Sequence, residues 1–274
     1  MKKKKAGIVF FVLFITAAVL TVDTQSSSME NWTEIQKIIA SDRAELDHFG
    51  NSISISGDYA VIGAIGYDSS RGSAYVFKRS GTSWLEEAKL VASDGASGNR
   101  FGWSVSIDGN YALIGACSAY SHDFAYIFKR SDSSWTQEAK LVASDGASDD
   151  EFSCCVSISG DYAIIGARCD NDNGIGSGSA YIFSPSGANW IEQAKPLASD
   201  GAAIDNFGWS VSISENYALI GAYDDDLGFG STYVFMREGS ENQISDTSTK
   251  TPGFELILVL FAVALILFWK RRRI

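Results

Sequence analysis

The residues best placed to do chemistry are carboxylates and aromatic rings gathered in four short segments: Tyr67-Asp68, Tyr120 to Phe124 with Asp123 inside it, Asp170-Asn171-Asp172-Asn173-Gly174, and Tyr223-Asp224-Asp225-Asp226. Acidic side chains beside rings suit two tasks. They bind cations through oxygen, and they hold a sugar, with the ring under its apolar face and the carboxylates on its hydroxyls. The third segment resembles a calcium loop in its alternating oxygen ligands and its glycine. It lacks a closing glutamate, so a structural acidic loop is the first reading and a Ca2+ site at Asp170 and Asp172 the second. Two further rings, Trp103 and Trp209, occupy one recurring position and are expected to face each other across an axis, plugging a channel or stacking on a sugar. Catalytic motifs are absent: the only histidines, His48 and His122, fall in none, so no enzyme is expected.

Four cysteines complete the inventory: Cys117, Cys154, Cys155 and Cys169. An even number in an exported chain permits two disulfides. One bridge is expected from Cys169 to Cys154 or Cys155 and the other to Cys117, with a zinc site as the alternative.

The elements that position these residues recur four times. FGNSISISGDYAVIGA starts at Phe49, FGWSVSIDGNYALIGA at Phe101, FSCCVSISGDYAIIGA at Phe152 and FGWSVSISENYALIGA at Phe207. The phenylalanines are spaced 52, 51 and 55 residues apart, and Trp32, Trp84, Trp135 and Trp190 repeat the same spacings. Each unit reads as four strands. The first alternates, as in Ser104-Val105-Ser106-Ile107, and a tight turn such as Gly109-Asn110 leads to the second, Tyr111 to Ile114. The third is Ala74 to Phe77 and its relatives, and the fourth starts at the tryptophan. Four antiparallel strands in about 50 residues make a propeller blade. The expected fold is therefore all-β: a four-bladed propeller of four-stranded antiparallel blades, with N- and C-terminal hydrophobic helices. The chain begins with a lone fourth strand, Trp32 to Ile39, expected to complete the last blade; two chains in a larger ring are the alternative.

Columns that repeat in every copy are read as packing. These include Phe49 and its equivalents between blades, Gly50, Gly102 and Gly208 for close backbone approach, Asp42, Asp94, Asp145 and Asp200 as turn formers, and Lys37, Lys89, Lys140 and Lys195 as solvated charges on outer edges. Length varies only between strands two and three, where the separations are 10, 9, 13 and 10 residues. Insertions confined to one loop per repeat mark one face, often the binding face. The four segments named first are those loops.

The chain ends are apolar. Four lysines precede the run 6–20, the layout of a secretory signal peptide or signal anchor; Leu256 to Trp269 is followed by Lys270 and three arginines. Cationic flanks stay cytoplasmic, which places the repeats outside the cell. Fourteen residues span roughly 21 Å against about 30 Å of hydrocarbon, short for a permanent span. The division is 1–28 signal, 29–238 propeller, 239–253 Ser/Thr-rich spacer and 254–274 tail. The formal charge is −11, and setting aside residues 2–5 and 270–273 leaves 14 cations against 33 carboxylates. Such an excess repels phosphate and excludes nucleic acid as a partner. Asn31-Trp32-Thr33 is an N-glycosylation sequon.

Residues 32–238, with Trp, Lys-Leu, Ala-Ser-Asp-Gly, Phe-Gly, Ser-Val-Ser-Ile and Ile-Gly-Ala in order, resemble FG-GAP repeats of the bacterial and archaeal branch, relatives of the integrin α-subunit propeller. The strand one–two loop lacks the Asp-rich calcium motif of the integrin branch, and four copies depart from the seven blades common there. Pro252-Gly253-Phe254, the apolar stretch and the basic cluster resemble the archaeal PGF-CTERM sorting signal. That resemblance implies an archaeosortase-like processing enzyme, removal of the tail and a lipid anchor. Together these readings point to a membrane-anchored extracellular module that binds a protein or glycan without catalysis. An envelope scaffold without ligand and a propeller glycosidase or lyase are the alternatives.

Overall fold

The computed structural model describes residues 31–118 and 123–238. Residues 36–238 lie in one compact unit. The expected terminal helices, the spacer and the sorting tripeptide lie outside the described residues, and no described helix is long and apolar enough to cross a membrane.

The repeats fold into blades, as their alternation requires. Blade one is β1 (Phe49–Ser56), β2 (Tyr59–Ala64), β3 (Ser73–Ser80) and β4 (Ser83–Leu90), hydrogen-bonded in that order. A single turn, α1 (Tyr67–Ser70), interrupts its strand two–three loop. Blade two is β5 (Phe101–Asp108), β6 (Tyr111–Ala116), β7 (Phe124–Ser131) and β8 (Ser134–Leu141). Blade three is β9 (Phe152–Ser159), β10 (Tyr162–Ala167), β11 (Ser179–Ser186) and β12 (Asn189–Ala194). Blade four has only β13 (Phe207–Ser214), β14 (Tyr217–Ala222), the turn α2 (Asp225–Gly228) and β15 (Ser231–Met236). Within each blade the strand pairings are antiparallel, and two-residue turns set the register: Asp108 faces Tyr111 across Gly109-Asn110.

Three four-stranded sheets and one three-stranded sheet fit four propeller blades. The expected completion of blade four by Trp32 to Ile39 is not formed, because residues 31–40 belong to no strand. Residues 36–41 follow blade one instead. The Gln36 side chain exchanges hydrogen bonds with the Trp84 backbone, Ser41 donates to Glu86, and Ala40 packs with Ile62 and Tyr75.

The apolar core lies mostly between blades rather than within them. Val61 and Val76, on the face of blade one turned to blade two, are fully buried with Val105 and Ile107. Equivalent clusters join blades two and three, and three and four. Phe101, Phe152 and Phe207 sit in these clusters as expected, each against two rings of its own blade. Burying side chains of this size contributes roughly 1.5–3 kcal/mol each.

Backbones touch at these junctions, which explains the glycine columns. A Cβ on Gly102 would stand 2.4 Å from the Ser73 carbonyl, and one on Gly63 only 2.0 Å from that of Gly102. Serines reach across the same gap: Ser52 Oγ donates to the Gly102 carbonyl, and the Ile107 N–H donates to Ser54 Oγ. The contacts recur from Ser104 to Ser153 and from Ser106 to Ile158. Where blade three has Ser153 instead of glycine, φ is +72° and its Oγ donates to the Phe124 carbonyl.

Asp42, Asp94, Asp145 and Asp200 stand in turns, as expected, but the lysine column corrects the sequence reading. Asp42, Asp94 and Asp145 each take one hydrogen bond from a tyrosine hydroxyl and one from a lysine ammonium, both in the blade that follows. The tyrosines are Tyr75, Tyr126 and Tyr181, and the lysines Lys89, Lys140 and Lys195. The lysines are therefore clasped against their blades rather than solvated on an edge. Lys140 holds the Asp94 carboxyl below its ordinary range, outweighing the cost of burial, and Tyr126 adds to the effect. Tyr126→Phe leaves the packing and removes a charge-assisted bond. We expect it to destabilise the chain by about 1.5 kcal/mol in urea unfolding.

Candidate binding face

The strand two–three loops are tied at a common point. Asp47, Asp150 and Asp205, two residues before each phenylalanine, are buried, and each accepts the N–H of an alanine three residues earlier at 2.6 Å. Their carbonyls accept N–H groups of the same blade's loop, from Gly66, Cys169 and Asp224. This column was overlooked in the sequence, although it recurs in three copies with Asn99 in the fourth.

Most of the expected site residues are engaged in structure. The Tyr67 ring lies under the Lys89 ammonium, 3.2 Å from its centre, and Asp68 pairs with Arg71 at 3.1 Å. Asp170 is buried and accepts from Ser179 Oγ, Tyr181 OH and Lys195 Nζ. Asp172 is 2.6 Å from the same ammonium. The two residues read as an alternative Ca2+ site thus share one ammonium, that of Lys195. Asp225 accepts from Tyr233 OH at 2.9 Å, Asp224 from Asn206 at 3.0 Å, and Asp226 stands in a left-handed turn with φ +53°. Tyr120 lies outside the described residues; Asn31 is exposed.

Trp103 and Trp209 do not meet. Trp103 lies beside Arg100, with the guanidinium 5.5 Å from its ring centre, and its carbonyl accepts from Asn51. Trp209 stacks on Tyr223, with centroids 4.6 Å apart and planes 22° from parallel. The Arg168 guanidinium stands 4.2 Å from the Trp209 ring and is ion-paired with Glu151. Trp209 is 41% exposed and Tyr223 59%. Blade three supplies the arginine and blade four both rings, making a stack in which the Arg168 guanidinium lies over one face of Trp209, Tyr223 covers the other, and Tyr223 keeps the open aromatic face.

The cysteines only partly match expectation. Cys117 is bonded to Cys154, joining blades two and three, with Cα atoms 5.0 Å apart. Cys155 and Cys169 are free, so the bridge expected from Cys169 is not formed. Successive residues of a strand point to opposite faces. Cys154 therefore faces Cys117, while Cys155 turns into the next junction, where its Sγ accepts the Val211 N–H. Glu151 lies close to Cys117 and Cys154.

Among the described residues, Asp123 is the carboxyl whose titration is most strongly raised. It accepts the Ser118 N–H at 2.6 Å, while its Oδ2 is buried without a partner among the described residues. Burial, reinforced by the charges of Glu151 and Asp150, pushes its pKa up to about 7.

The model of the FG-GAP repeat family matches residues 32–77, 84–128, 135–183 and 190–235, each stretch beginning at a tryptophan and ending on strand three. No curated protein matches the chain.

Two outcomes are expected. Between about pH 4 and 7 the folded chain holds a proton on Asp123 that the unfolded chain has lost, so stability falls as pH rises through that window. Urea midpoints should decline over it, and less steeply in Asp123→Asn, which keeps the Ser118 bond. Thiol titration of the unfolded, unreduced chain should find two of the four cysteines free; four would remove the bridge.

Proposed function

The chain belongs to the FG-GAP repeat family, and from that premise we propose that it is a non-catalytic binding module whose strand two–three loop face recognises a glycan. The observation that carries this reading is the Arg168–Trp209–Tyr223 stack, which leaves the Tyr223 ring face open to solvent with the guanidinium two layers below it. An aromatic face receives the apolar C–H face of a sugar ring, and a guanidinium donates to its hydroxyl or carboxyl oxygens. Turnover fits less well. Glycoside hydrolysis uses two carboxyl groups facing a scissile bond. The nearby Glu151 is paired with Arg168, and Asp225 with Tyr233.

The same reading places the module at the cell surface. The cation-flanked apolar stretches at both ends support membrane attachment, by a terminal helix or by a lipid after an archaeosortase-like enzyme acts at Pro252-Gly253-Phe254. The exposed Asn31 sequon suits export. An exported chain also meets the oxidising conditions in which Cys117–Cys154 persists. A protein partner on the same face is the second reading, since rigid blades presenting variable loops serve either.

A glycan array followed by tryptophan-fluorescence titration tests this. Trp209→Ala and Tyr223→Ala should each weaken binding roughly tenfold or more, the value of a lost ring contact. Turnover in a hydrolysis screen without array binding would overturn the assignment.

A further inference from the structure

We propose that two copies of this chain join head to tail into one eight-bladed ring, each lending residues 32–39 as the missing outer strand of the other's blade four.

The two end faces are the two halves of a junction the chain already makes three times. Leu219 and Val234 on blade four hold the positions of Val61 and Val76, which are fully buried against blade two. Here they are 45% and 66% exposed. On blade one, Ile53 and Ile55 hold the positions of Val105 and Ile107, and are 75% and 64% exposed. The polar contacts are halved in the same way. Ser210 and Ser212, equivalent to Ser52 and Ser54, are exposed. Gly50 has open space where Gly102 and Gly208 touch a carbonyl of the preceding blade. Each half complements the other, and one chain leaves both unmatched.

The fourth strand fits the same scheme. The family match starts each unit at its tryptophan, which makes residues 32–39 the counterpart of β4, β8 and β12. In every repeat the strand beginning at the tryptophan belongs to one blade, and the aspartate ten residues on is clasped by the next. Asp42 is clasped by Tyr75 and Lys89 of blade one. The strand before it therefore belongs to a blade seated on the Ile53 face, where this chain has none. Blade four of a second copy lacks that strand and has room for it: a groove of about 450 Å³ lies between Tyr162, Gln193 and Pro196 on one side and Phe235 and Met236 on the other. Charge agrees as well. Tyr233 bridges Asp200 and Asp225 without the lysine that completes the other three clasps, and Lys37 is the residue at that position. Two copies related by a two-fold axis make both new junctions at once and close the ring.

The full chain, solubilised in mild detergent, should sediment at twice 29.5 kDa. Met236 stands where Lys78 pairs with Leu85 and Lys129 with Thr136, and Thr33 matches Leu85 and Thr136. The double variant Thr33→Cys/Met236→Cys should therefore oxidise to chain pairs on a non-reducing gel, while either single variant does not. Leu219→Arg should give a monomer with an unchanged strand signal in circular dichroism. A wild-type monomer, a Thr33→Cys/Met236→Cys cross-link mapped within one chain, or a ladder of higher masses would overturn the proposal.

Discussion

A blade of this protein cannot bury itself, and the junction between blades is what the structure rests on. Its closest point is the approach of the Gly102 carbonyl to Gly63, too near for any Cβ. Around it lie the serine bonds, the apolar cluster and, further out, the aspartate held by a tyrosine and a lysine of the next blade. These layers are not equal in energy. The apolar layer supplies most of the stabilisation, at roughly 25 cal/mol per Å² buried. The exposed half of the clasp is screened by solvent and adds less. The serines and glycines chiefly fix distance and register, because only one offset lets hydroxyl meet carbonyl. Stability in such an array is close to a sum of neighbour terms, so its end faces are chemically the same as its interior ones.

The candidate site uses the same junction. On the loop face, the residue after strand two of one blade meets the second residue after the phenylalanine position of the next. Between blades two and three these are Cys117 and Cys154, and a disulfide forms. Between blades three and four they are Arg168 and Trp209, and a cation lies by a ring. A fixed backbone geometry thus carries different chemistry at each joint. The loops above are held by the buried Asp47, Asp150 and Asp205, so side-chain variation there is not paid for in disorder. Preorganisation of this kind would favour recognition, since little entropy would be lost if the proposed ligand docked on the Tyr223 face of the stack.

Most of what could be read from the sequence was local to one blade, the phenylalanine and glycine columns at the joints being the exception. Alternation in Ser104 to Ile107 and the Gly109-Asn110 turn specify a hairpin, and the structure has it. Contacts between blades were not legible in the same way. Asp42 is a turn residue, as read, but nothing local shows that its carboxyl meets Tyr75, 33 positions on. Lys195 looks like an edge charge until the fold brings it to Asp170 and Asp172. The adjacency of Cys154 and Cys155 suggested interchangeable partners for Cys169, yet strand alternation sends their sulfurs to different faces. Aligning each column with its neighbour in the next copy, rather than with its own, carries the missing signal.

The two proposals constrain each other through geometry. The position after strand two is Tyr223 in blade four, and its counterpart across the next joint is Asn51, the residue matching Cys154 and Trp209. In a two-copy ring Asn51 of one chain therefore borders Tyr223 of the other, adding an amide donor and acceptor at the edge of the aromatic platform. The two-fold axis of such a ring runs along its centre, so both platforms open on the same face. Two sites on one face convert a weak single contact into avid attachment to a surface that repeats its ligand, provided the ligand spacing allows both to be filled. A free monosaccharide gains nothing from that arrangement, whereas a polymer or a coated surface does, so the ring would favour a repeating glycan over a soluble sugar.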